Sequence, residues 1–78
     1  MDLNTNLIRF ELFEDDVYGI VGVSGDVQIG WCRKIDGLWW LSDMDENTVG
    51  GSFKELRAAE IGSLAAFSDY LGASNPGY

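Results

Sequence analysis

The residues of this chain with chemical reach are carboxylates, concentrated in two runs, Glu14-Asp15-Asp16 and Asp43-x-Asp45-Glu46, with Asp26 and Asp36 standing between them. Thirteen Asp and Glu face five Lys and Arg, leaving a net charge of -8 at pH 7 on 78 residues. With no histidine anywhere, imidazole acid-base chemistry, Ser-His and Cys-His nucleophile pairs and His-based zinc sites are excluded. Electrostatics remains. A surface of this sign repels nucleic acid and anionic membranes and attracts basic protein surfaces, nucleic-acid-binding grooves among them. The residues that would make such contacts are Glu14, Asp15, Asp16, Asp36, Asp43, Asp45 and Glu46. The competing reading is solubility, because small soluble domains commonly carry several net charges and -8 lies at the outer edge of that range. Carboxylate-only catalysis is a third class, and it needs a deep pocket that so small a domain is not expected to form.

Other constellations are weaker. Asp43-x-Asp45-x-Asn47 matches the first half of an EF-hand loop, but the sixth position, which needs Gly, is Thr48 and the twelfth, which needs Glu, is Lys54. Gly19-x-x-Gly22-x-x-Gly25 and Gly50-Gly51 lack the spacing and the neighbouring Lys of a phosphate loop, so no cofactor is expected. Gly19, Gly22 and Gly30 read better as relief of crowding beside bulky aromatics on a twisted sheet. Cys32 is the single cysteine, so it forms no internal disulfide, and it is expected to be an inert, half-buried thiol.

Strands and one helix must position these groups. Residues 7–13 alternate, with Ile8, Phe10 and Leu12 opposite Arg9 and Glu11, and predict a strand. Residues 17–23 and 27–35 predict two more, separated by the turn group Ser24-Gly25-Asp26. Asp36-Gly37 then supplies a two-residue type I′ hairpin before Leu38-Trp39-Trp40-Leu41. The turns predict the pairs Ile35–Leu38, Arg33–Trp40, Ile20–Trp31 and Phe10–Ile20. One face would then carry Ile8, Phe10, Leu12, Tyr18, Ile20, Val27, Ile29, Trp31, Ile35, Leu38 and Trp40. In such a meander Glu14 to Asp16 share one end with Asp36, and Asp26 shares the other with Asp43, Asp45 and Glu46.

Residues 42–51 read as an acidic connection with room for a short edge strand near Asn47 to Gly50. Ser52-x-x-Glu55 forms a capping box that opens a helix over 52–72, closed by Gly72. Its apolar stripe is Phe53, Leu56, Leu64, Phe67 and Leu71, flanked by Ala59, Ile61 and Tyr70. Gly62 falls on its polar side and predicts a bend or break there. Glu60 falls inside the stripe. Either the helix turns it to the rim, or it is a buried carboxylate paired with Arg33 or Arg57, and the first avoids the cost of burying a charge. The fold expected is a single α+β domain over 1–78: a four-stranded antiparallel meander over 7–41, a helix on one face and a flexible tail over 73–78.

In that register Trp39 points away from Trp40, onto a second face with Cys32, Lys34 and Leu41 beside Phe13, Val17, Val21 and Val23. One helix cannot cover both faces. The second face predicts a homodimer or a partner-binding patch with Trp39 as an apolar anchor. With 46% apolar residues the chain is too hydrophobic for disorder, and its longest uncharged run, Val17 to Gly25, is too short to span a bilayer. Met1-Asp2-Leu3-Asn4 lacks the basic start of a signal peptide, so a soluble cytoplasmic protein is expected.

Small size, acidity, a β-meander and the run Gly50-Gly51-Ser52-Phe53-Lys54-x-Leu56-Arg57-x-Ala59-Glu60 together resemble the compact proteins of phages and mobile elements, the anti-CRISPR group in particular. The resemblance is one of format and transfers no functional residue. It implies an inhibitor whose acidic surface occupies the guide- or target-DNA site of a surveillance complex. The sheet-then-helix order also looks like the arm-type DNA-binding domains of phage integrases, but those are basic, which argues against direct nucleic-acid binding here. The expectation is therefore a non-enzymatic inhibitor or interaction protein docking on a basic partner. The alternative is a homo-oligomeric structural or accessory protein working through its apolar sheet face.

Overall fold

Five strands and a helix follow one another in the computed structural model, which describes residues 7–23 and 25–69. They are β1 (Ile8–Glu14), β2 (Val17–Gly22), β3 (Val27–Ile35), β4 (Leu38–Asp43), β5 (Thr48–Phe53) and α1 (Leu56–Ala66). The strands form one antiparallel sheet in sequence order, so the fold is α+β with a fifth strand completing the meander. Each of the four strand–strand connections turns on an acidic residue in the left-handed region, at a ten-residue spacing: Asp16 (φ 61°), Asp26 (φ 53°), Asp36 (φ 54°) and Glu46 (φ 69°). Asp tolerates this conformation because its short side chain can bond locally. Asp36 with Gly37 (φ 83°) makes the expected I′ turn.

Three of the four predicted pairs form: Phe10–Ile20, Arg33–Trp40 and Ile35–Leu38. The fourth does not. Ile20 pairs with Gly30 instead of Trp31, because Ile29 is an extra residue in β3 and breaks the register between Ile20 and Val21. That bulge shifts side-chain parity by one across the rest of β3 and all of β4. The covered face is thus Ile8, Phe10, Tyr18, Ile20 and Ile29 from the first half, joined by Cys32, Trp39 and Leu41 from the second. Its central ladder runs Leu12–Tyr18–Cys32–Leu41–Val49 across all five strands. Trp31, Ile35, Leu38 and Trp40, expected beneath the helix, are on the opposite face. Trp39, expected outside, is 9% exposed, with its ring 5.8 Å from that of Tyr18.

The helix starts later than the capping box predicts. Ser52 pairs with Trp40 and Phe53 with Trp39, so both belong to β5, and Glu55 occupies the N-cap position with no side-chain cap bond. Two ladder positions and the burial of the Phe53 ring outweigh a cap worth about 1 kcal/mol. Ala59, Ser63 and Phe67 form the buried line that faces the sheet, and the small first two allow close approach. Two ring-on-glycine contacts lock the seat. A Cβ on Gly30 would lie 2.7 Å from Phe67 Cζ, and one on Gly62 would lie 2.3 Å from Phe53 Cζ. Gly62 is therefore a receiving surface for Phe53, not a point of weakness, and α1 runs through it to Ala66. The expected closure at Gly72, the flanking Tyr70 and Leu71, and the tail 73–78 lie outside the described residues. Among the described residues, no helix is long and apolar enough to cross a membrane.

Candidate functional site

Hairpin geometry decides which carboxylates are available. The Lys34 N–H donates to the Asp16 carbonyl (2.9 Å), bringing the β1–β2 turn alongside the end of β3 that leads into the β3–β4 turn. Glu14, Asp15, Asp16 and Asp36 are thereby gathered at one end of the sheet, all exposed, and none makes an ion pair among the described residues.

The acids at the other end are mostly employed. Asp43 Oδ1 accepts from the backbone N–H of Asp45 and of Asn47 (both 2.9 Å), and Oδ2 accepts from Asn47 Nδ2 (3.4 Å). These donors, Asn47's backbone foremost, hold the carboxyl below its ordinary value. The half EF-hand pattern is thus a turn whose first carboxylate serves its own backbone. Glu46 accepts two bonds from Arg33, at 2.7 and 3.1 Å, and Asp26 accepts from Arg9 at 2.8 Å. Of the seven acids singled out from the sequence, Asp43 and Glu46 hold the β4–β5 turn. Glu14, Asp15, Asp16, Asp36 and Asp45 carry no ion pair among the described residues.

Trp39, the eighth residue singled out, is core, and its place outside is taken by residues of opposite parity. The open face is defined by two ladders, Glu14–Val17–Arg33–Trp40–Ser52 and Glu11–Gly19–Trp31–Ser42–Thr48. Phe13 stands edge-on to Trp31 at 5.2 Å, and the Arg33 guanidinium lies 5.1 Å over the Trp31 ring. Arg33 is further fixed by Ser42 Oγ (3.4 Å) and Glu46. Phe13 is 66% and Ile35 51% exposed, so the face has an apolar centre open to solvent. The sequence signal for this arrangement is Gly30 within a strand, which marks a bulge or a close approach and here accompanies both.

The remaining candidates are structural. Cys32 is fully buried, and burial pushes its thiol up to about 12, with the charge of Glu60 adding to the shift. It is no nucleophile at neutral pH. Glu60 is half-buried, 3.5 Å from Arg57, so it combines both expectations, a place at the rim and an arginine partner. It borders an open cleft of about 220 Å³ with Ile8, Arg9, Phe10 and Arg57. A second cleft of about 170 Å³ lies on the open face beside Arg33, Trp40 and Glu46. Both are smaller than the roughly 300–1,000 Å³ usual for small-molecule sites. Comparison with family models, curated proteins and solved structures finds no match to this chain.

Proposed function

We propose that this chain is a non-enzymatic inhibitor or interaction protein that sets its acidic end against a basic, nucleic-acid-binding surface of a partner protein and keeps nucleic acid out. The observation that carries the reading is the gathering of Glu14, Asp15, Asp16 and Asp36 at one end of the sheet, none of them in an ion pair among the described residues. Exposed carboxylates of one sign raise the encounter rate with a positive groove and compete there with phosphates for the same Lys and Arg. A surveillance complex, the partner of an anti-CRISPR protein, is one partner of this chemistry.

The test replaces Glu14→Gln, Asp15→Asn, Asp16→Asn and Asp36→Asn together, which keeps side-chain shape and leaves Asn where the backbone is left-handed. A partner captured at low salt by the wild type should elute as salt rises and be displaced by added DNA or RNA. The amide variant should fail to hold it while melting at the wild-type temperature. Retention of the same partner by the amide variant with an unchanged salt slope would remove the acidic end from the mechanism.

A further inference from the structure

Resting on that reading, we propose that the open face of the sheet is the rest of the docking surface, and that it takes a protein presenting an apolar patch ringed by Lys and Arg. The centre is Phe13, Val17, Trp31, Ile35, Leu38 and Trp40. Val17, Trp31, Leu38 and Trp40 are half-buried and Phe13 and Ile35 exposed, while α1 packs on the other side of the sheet, where Ala59 and Phe67 share the core with Cys32, Trp39 and Leu41. Aromatic residues surrounded by a polar rim are the composition of a binding interface, not of a solvated sheet face.

The charge around that centre chooses the occupant. Glu14, Asp15, Asp16 and Asp36 border one end. At the other, Asp26 and Glu46 fold onto the face through Arg9 and Arg33. Both arginines are neutralised there, Arg9 by Glu11 and Asp26 and Arg33 by Glu46, with the Arg33 guanidinium resting over the Trp31 ring. The face therefore offers apolar surface edged by carboxylates that make no ion pair among the described residues. A second copy would bring acid rim against acid rim between chains of net charge -8, and nucleic acid would meet the same repulsion. A basic rim on another protein satisfies the edge, and an apolar patch inside that rim satisfies the centre.

The probes are two synthetic helical peptides of equal length and charge, one of Lys and Leu with an apolar face, the other of Lys and Ser. Calorimetric titration gives their affinities, and the three indole N–H signals report where they bind. The Lys/Leu peptide is expected to bind about tenfold tighter and to shift Trp31 and Trp40 but not buried Trp39. Phe13→Thr with Ile35→Thr keeps strand-compatible residues at exposed positions. It should weaken the Lys/Leu peptide about tenfold and leave the Lys/Ser peptide unchanged. Equal affinity of the two peptides overturns this proposal while leaving the acidic-end reading intact. Unchanged binding of both peptides by the four-amide variant overturns the acidic-end reading. A dimer in sedimentation equilibrium that the Thr pair dissociates assigns the face to a second copy and overturns the proposal as well.

Discussion

Gly30→Ala should be among the most damaging single-methyl changes available in this protein, although Gly to Ala within a regular strand is ordinarily mild. The new Cβ would lie 2.3 Å from the Ser42 carbonyl oxygen and 2.7 Å from Phe67 Cζ. A carbon and a carbonyl oxygen settle at roughly 3.3 Å or more, so β3 and β4 would have to part by about 1 Å at this point. Overpacking of this kind costs about 1–3 kcal/mol. Partial loss of the Phe67 seat adds about 1 kcal/mol from the 1.5–3 that burying such a ring contributes. The sum, roughly 2–4 kcal/mol, lowers Tm by about 10–30 °C for a domain of this size. Circular dichroism melts and urea midpoints measure it. Gly51→Ala is the control, since a Cβ there meets nothing within 4 Å, and it should stay within about 1 kcal/mol of wild type. Adding Phe67→Leu to Gly30→Ala should restore only part of the loss, because the carbonyl contact is backbone and remains. If Gly30→Ala melts within about 3 °C of wild type, the bulge and the register built on it are wrong.

Four further outcomes follow from the same structure. Trp39→Ala should cost about 3–5 kcal/mol and Trp40→Thr clearly less, with the difference read from urea midpoints; equal costs would contradict the assignment of faces. Cys32 should resist an aromatic disulfide reagent at pH 8 and release one equivalent on denaturation. Its raised pKa also sets a sign: above about 9 the unfolded chain ionises this thiol while the folded chain does not until about 12, so stability falls across that interval. Cys32→Ser should flatten the fall. Asp43 has the opposite sign, being held below its ordinary 3.8 in the fold, so its contribution is present above that value and lost as pH drops through the lower folded one. A carboxyl carbon titration with a midpoint at or above 3.8 would remove the turn from this account.

The acidic end and the open face belong to different levels of organisation. Short-range turn chemistry places the carboxylates, since each hairpin reverses on an acidic residue in the left-handed region and alternate turns share an end. Cation placement then removes some of them from use. Arg33 sits where it can reach Glu46, and Arg9 where it can reach Asp26, so among the described residues the acids of the β1–β2 end carry no ion pair while charge at the β2–β3 end is largely compensated.

By itself the sequence located the first four strands and the acidic turns between them. Alternation located β1 to β4, Asp36-Gly37 set one hairpin register, and the absence of His removed imidazole chemistry. It also placed Glu14 to Asp16 beside Asp36, because a meander with short turns has no other way to close. The covered face was decided only in three dimensions. In β3 and β4 both parities are apolar, Trp31, Ile35, Leu38 and Trp40 on one and Cys32, Trp39 and Leu41 on the other, so a period of two cannot choose between them. The choice fell to the extra residue Ile29 and to the fit of Phe67 on Gly30, neither of which is a local property of a strand. The start of the helix was decided in the same way. Ser52 and Glu55 are a sound cap in isolation, but Phe53 gains more by pairing beside Trp39 and resting on Gly62, so long-range packing drew the segment into the sheet.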